Sequence, residues 1–110
     1  MKKFIALYYA PASAAVASVS MTPEQQAKGM KAWYAWKEKC GDALLDFGAP
    51  LQTEQHLSGA GNWSGSITAV SGYSLLQGEN LETVKALFEG HPHLAWAPGT
   101  AIEVHEFKPM

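Results

Sequence analysis

Four histidines and one cysteine hold most of the chemistry open to this 110-residue chain. Two of them stand together as His91-Pro92-His93, with proline stiffening the link. Imidazole titrates near neutral pH, so such a pair can take, hold or pass a proton as the catalytic residues of a small enzyme. A structural reading competes with that one. In it His91 closes the preceding helix, where a cation suits the C-terminal end, and His93 lines the next turn. Two histidines without a neighbouring cysteine or acidic ligand make a thin coordination set, so no metal site is expected. His105 follows Glu103 by two residues and joins the pair only if the fold brings it near. His56 is read as lying on an exposed segment. Trp33, Lys37, Tyr73 and His105 are the residues expected to hold a small anionic, aromatic or carbonyl compound. The aromatics among them, with Trp36 and Trp96, also serve as core or dimer contacts.

Composition narrows what else the chain can be. A hydrophobic fraction of 47% with 16% charged residues describes a packed domain, and 110 residues suffice for one core. One domain over residues 1–110 is expected. The net charge is only -2, and the eight basic residues form no long run, so no nucleic-acid partner is expected. Cys40 is alone, which excludes an internal disulfide and a CxxC metal site and fits a reducing cytoplasm. Lys2 and Lys3 before an apolar run resemble a secretory signal, but the run is short, holds Tyr8 and Tyr9, and is closed by Pro11. It reads better as a strand, and no membrane span is expected. Gly59 to Gly65 superficially suggests a phosphate loop, yet the spacing is wrong for G-x-G-x-x-G and a strand follows where a helix is needed. No cofactor motif is present.

The elements that must position these residues follow from periodicity. In the first strand Phe4, Ala6 and Tyr8 point one way and Ile5, Leu7 and Tyr9 the other, and both sets are apolar. Residues 10–21 form a link ending in Thr22-Pro23-Glu24-Gln25, a capping box with proline in the first turn. From Pro23 to about Lys39 the helical period gathers Ala27, Met30, Trp33, Tyr34, Trp36 and Cys40 on one broad side, and Gly41 supplies the stop. Lys37 falls inside that apolar side. Either its stem lies along Trp33 and the ammonium reaches water, or it binds an anion at a cleft edge.

Residues 43–48 and 51–57 read as one strand bent by Gly48-Ala49-Pro50, or a strand with an irregular extension. Residues 58–66 read as a hairpin connection holding Trp63. Over residues 67–77 a third strand places Val70, Gly72, Ser74 and Leu76 on one face and Ala69, Ser71, Tyr73 and Leu75 on the other. Asn80 caps a short helix with Leu81, Val84, Leu87 and Phe88 as its core positions, and Gly90 ends it. The last strand, about Ala101 to Phe107, puts Ile102 and Val104 on one face and Glu103, His105 and Phe107 on the other.

That order predicts an α+β, ferredoxin-like βαββαβ fold: an antiparallel four-stranded sheet with two helices on one face. Its uncovered face would be an aggregation hazard in a monomer. Pairing of two sheets about a two-fold axis, as a homodimer, covers it.

Taken together, Lys3-Phe4-Ile5-Ala6-Leu7-Tyr8-Tyr9, Met21-Thr22-Pro23-Glu24, Gly48-Ala49-Pro50-Leu51, Ser71-Gly72-Tyr73-Ser74 and Ile102-Glu103-Val104-His105-Glu106 resemble the YCII-related (DGPF) domain family over nearly the whole chain. The resemblance implies a ferredoxin-like subunit in a dimeric α/β barrel, usually a small cytoplasmic protein. Some relatives have a proposed histidine and aspartate pair in a cleft, and related domains occur beside sigma factors. Here the Asp-Pro element falls at Gly90-His91-Pro92-His93, so His91 replaces the acid, and no histidine stands near Met30 to Trp33. That pair is absent in its usual form, and any acid-base chemistry must differ.

Three functions are compatible with these residues. A small enzyme would use His91 or His93 for proton transfer, a ligand-binding or sensor dimer would use the same cleft without turnover, and an interaction module would dock another protein.

Overall fold

A computed structural model describes residues 1–14, 20–52, 54–66 and 69–110 of the chain. Its centre is the first strand, β1 (Lys2–Tyr9), flanked by two strands from much later in the sequence. The others of the main sheet are β2 (Leu44–Pro50), β5 (Val70–Gly78) and β6 (Ala101–Glu106). They lie in the order β2-β5-β1-β6, every neighbouring pair antiparallel. Helices α1 (Pro23–Cys40) and α2 (Leu81–Ala86) complete a ferredoxin-like βαββαβ arrangement.

Alternation along the strands decides what meets the helices. Phe4, Ala6 and Tyr8 are buried, as are Ser74 and Leu76 of β5. Phe4, Ala6, Tyr8 and Leu76 share one core with Trp36 and Cys40 of α1, Val84 of α2 and Phe88, so both helices cover the same face. Gly78 is needed here because a Cβ would come within 2.7 Å of the Val84 side chain. On the other face Ile5, Leu7, Tyr9, Tyr73 and Leu75 are only half-buried.

The capping box forms as expected. Thr22 N–H donates to Gln25 Oε1 at 2.9 Å and Gln25 N–H to Thr22 Oγ1 at 3.1 Å. The apolar stripe of α1, however, is longer than its cover. Trp36 and Cys40 are buried, but Ala27 is exposed, and Met30 and Tyr34 stay 49% and 53% exposed. Two bonds pin only the end of the helix: Trp36 Nε1 to the Leu87 carbonyl at 2.8 Å and Lys39 Nζ to the Glu89 carbonyl at 3.3 Å. Leu81 also departs from the expected core set, because it lies in the first turn of α2 at 41% exposure.

The bend in β2 is a bulge. The Asp46 carboxylate accepts from Gly48 N–H at 2.8 Å, and Gly48 takes a positive φ of 84°. Only glycine fits, since a Cβ would overlap the Tyr73 carbonyl. Beyond the bulge, residues 55–57 are not an irregular tail. They form β3 (Gln55–Leu57), paired with β4 (Trp63–Gly65) in a separate two-stranded ribbon. Leu57 and Trp63 face each other across it, 51% and 65% exposed, and His56 is half-buried between exposed neighbours. The start of the expected third strand, residues 67–68, and residues 15–19 of the first link lie outside the described residues.

Candidate functional site

The two adjacent histidines fold inward. After α2, Gly90 turns the chain at φ 67°, and His91 caps a 3-10 turn, Pro92–Ala95. The His91 side chain accepts the backbone N–H of His93 at 3.0 Å through Nδ1. An accepting Nδ1 carries no proton, so neutral His91 holds its hydrogen on Nε2. Both rings are deeply buried, His91 at 1% and His93 at 3% exposure.

Aromatic rings enclose His91. Trp33 and Trp36 stand edge-to-face to it at centroid distances of 4.6 and 4.5 Å, and Tyr8 and Phe88 stack on it at 5.3 and 5.6 Å. Its Nε2 is the one buried side-chain N or O among the described residues with no hydrogen-bond partner. Such an orphan donor costs about 1–3 kcal/mol, and contact with ring faces compensates it only weakly. Burial, with His93 and Lys39 adding to it, lowers the His91 pKa from 6.5 to about 3. His91 is therefore neutral at physiological pH and does not act as a cation at the end of α2.

The neighbours are held by a directional chain. Ser74 Oγ donates to the Phe47 carbonyl at 2.7 Å, which leaves it to accept from the Tyr8 hydroxyl at 2.8 Å. Burial raises the Tyr8 pKa to about 12, so the phenol stays protonated. His93 Nε2 lies 2.8 Å from the Tyr9 carbonyl and donates to it, leaving Nδ1 as that ring's acceptor. Trp33, half-buried and edge-on to Tyr8 at 5.1 Å, forms the rim. Outside it Lys37 is exposed, its Nζ 5.6 Å from the centroid of the Phe47 ring. The ammonium thus stands near the face of Phe47.

The fold thus divides the residues singled out from sequence. His91, His93, Trp33 and Lys37 gather on the helix side of the sheet. Tyr73 and His105 lie on the opposite face, where Tyr73 O–H reaches Asp46 at 3.4 Å and His105 Nε2 pairs with Glu103 at 2.8 Å, exposed to water. The register explains the division. His105 stands opposite Ile5 and Tyr73 opposite Leu7, the strand positions that point away from the helices. Tyr8, Trp36, Phe47, Ser74 and Phe88 complete the site without having been assigned to it. Ser74 carried the usable signal, a hydroxyl within an apolar strand face that needs a partner when buried. Cys40 plays no part: its buried thiol has a pKa raised to about 11. No group of three or more histidine, cysteine or acidic residues among those described could hold a metal ion. No described helix is long and apolar enough to cross a membrane.

No protein-family model matches the sequence, and no curated protein matches it. Among solved structures the chain is similar to 5-chloro-2-hydroxyhydroquinone dehydrochlorinase (TftG) from Burkholderia phenoliruptrix AC1100, in complex with 2,5-dihydroxybenzoquinone. The two are 18% identical, the match covers 94% of this chain and 91% of the other, and the TM-score is 0.50. At that identity the likeness is one of fold, and it agrees with the ferredoxin-like architecture.

Proposed function

We propose that this chain is a YCII-related, cytoplasmic homodimer that binds a small planar carbonyl or phenolic compound, with His91 as hydrogen-bond donor to its oxygen. The observation that carries the reading is the orphan Nε2–H inside the aromatic cluster. A ligand oxygen would satisfy it, and the rings of Trp33 and Tyr8 suit a flat partner. Lys37 at the rim favours an anionic one. The structural neighbour's bound compound is itself a planar, oxygen-bearing ring, which supports the same ligand class.

The low proton affinity of His91 fixes its role. At neutral pH it is a poor base, but a neutral imidazole can donate Nε2–H to a carbonyl and polarise it or stabilise charge forming on it. Proton transfer, where it occurs, falls to His93 Nδ1. The half-buried apolar face of Ile5, Leu7, Tyr9, Tyr73 and Leu75 would meet its copy across the two-fold axis. A second reading, docking of another protein, draws on the exposed β3–β4 ribbon with Leu57 and Trp63.

The test is a histidine-detected NMR titration of the purified protein with 2,5-dihydroxybenzoquinone, salicylate and acetate. Saturable shifts of the His91 Nε2–H signal with the planar compounds, lost in His91→Phe, are expected. Shifts confined to the ribbon, or none, reject the reading. Following the ligand for product in the same sample separates a binder from an enzyme.

A further inference from the structure

The main sheet has two edge strands, and its sequence guards only one of them. β2 carries a bulge with Gly48 at positive φ and ends in Pro50, features that spoil pairing with a further strand. β6 runs from Ala101 to Glu106 without proline, glycine or a register shift, and among the described residues β1 is its one neighbour in the sheet. Its free side is open to another strand.

The register with β1 decides which groups stand on that side. Phe107 N–H donates to the Lys3 carbonyl at 2.9 Å, and alternation from there turns the peptide groups of His105 and Glu103 toward β1. Those of Ile102, Val104 and Glu106 point outward. The side chains of Glu103 and His105 are exposed, with His105 Nε2 2.8 Å from the Glu103 carboxylate. A carboxylate has about four acceptor positions, so Glu103 can accept from a second imidazole.

We infer that β6 pairs antiparallel with β6 of a second copy about a two-fold axis at Val104, joining the two sheets edge to edge. In this register every outward peptide group of the strand meets one from the other copy, Val104 with the partner's Val104 and Ile102 with the partner's Glu106, about six hydrogen bonds in all. It also sets Glu103 opposite the partner's His105 and His105 opposite the partner's Glu103, so carboxylate and imidazole alternate around the axis. Moving the axis one residue toward Glu103 would put that carboxylate opposite its own copy, and the reverse shift would oppose the two imidazoles. Side-chain complementarity thus selects a copy of this strand, and one register of it. The contact goes beyond the face pairing proposed above, because it uses backbone groups that stacking of two sheets leaves unbonded.

The test is amide hydrogen exchange by NMR on the full chain, with sedimentation equilibrium over the same concentrations. Exchange at Ile102, Val104 and Glu106 is expected to slow at least about tenfold in the associated species, while the amides of Glu103 and His105 are protected at every concentration. His105→Glu sets carboxylates against each other and should weaken association about tenfold; exchanging the two residues, Glu103→His with His105→Glu, should restore it to within about threefold. Leu7→Lys on the open face should abolish face pairing and leave the edge amides protected, so the two contacts fail separately. Free exchange of the three outward amides at every concentration, or an exchanged pair that associates as weakly as His105→Glu alone, overturns the inference.

Discussion

The two faces of the same four strands have opposite chemistry. On the helix side Tyr8, Ser74, His91 and His93 are removed from water and joined by short, directional bonds, so their proton positions are fixed. On the other side Tyr73 is half-buried and His105 and Glu103 are exposed, their hydrogen bonds open to solvent. A buried turn and an exposed strand separate a histidine that cannot be charged at neutral pH from one with a carboxylate beside it in water. Burial, more than residue type, sets what each imidazole can do.

The largest test of that contrast is acid. The His91 pKa is about 3 in the folded chain and near 6.5 when unfolded, so between those values the unfolded state binds the extra proton. Stability from this residue is complete above about pH 6.5 and is lost as the pH falls toward 3. Roughly 3–5 kcal/mol is at stake. Urea melts at stepped pH should show the loss in the native chain and its absence in His91→Phe.

Core truncation comes next. Phe4→Ala on the closed face should cost about 3–5 kcal/mol. Ile5→Ala, its half-buried neighbour, should cost about 1 kcal/mol in dilute protein and more as concentration rises if a second copy covers that face. Equal costs at all concentrations would mean the open face stays uncovered.

A smaller effect separates the members of the hydroxyl chain. Ser74→Ala strands both the Tyr8 hydroxyl and the Phe47 carbonyl and should cost about 1–3 kcal/mol; Tyr8→Phe leaves Ser74 bonded to Phe47 and should cost less. The reverse order, measured by chemical denaturation, would refute the donor directions assigned here. Smallest of all is Glu103→Gln, which removes an exposed pair and should change stability by less than about 1 kcal/mol.

Much of this architecture was legible in the residues. The inward set Phe4, Ala6 and Tyr8, the Thr22 to Gln25 cap and the alternation from Gly72 to Leu76 are local patterns, and local patterns suffice for strands and helix starts; the bulge that shifts Val70 opposite Tyr9 is not one. The overreach along α1 was not legible, because a helical period records which side is apolar and not how far the opposing sheet extends. That is why Ala27, Met30 and Tyr34 meet water. The division of the site follows from pairing. Glu103 and His105 were correctly placed on the face opposite Ile102 and Val104, but which of those faces carries Tyr8 depends on register with β1. The His91 cage was hidden for a similar reason: its walls, Tyr8 of β1, Trp33 and Trp36 of α1, and Phe88 after α2, belong to three separate stretches that meet only once α1 has packed.

The place of β1 between β5 and β6 also governs how the molecule assembles. Both partners lie in residues 70–106, so the first strand made has nothing to pair with until most of the chain has been synthesised. Such distant pairings are slow to form, because loop closure must precede any gain from contact. Until then an apolar segment from Phe4 to Tyr9 stays unpaired and open to association with other chains. A burst of helical signal from α1 should therefore precede the slower appearance of sheet on refolding, and a chaperone that shields extended apolar segments should raise the folded yield.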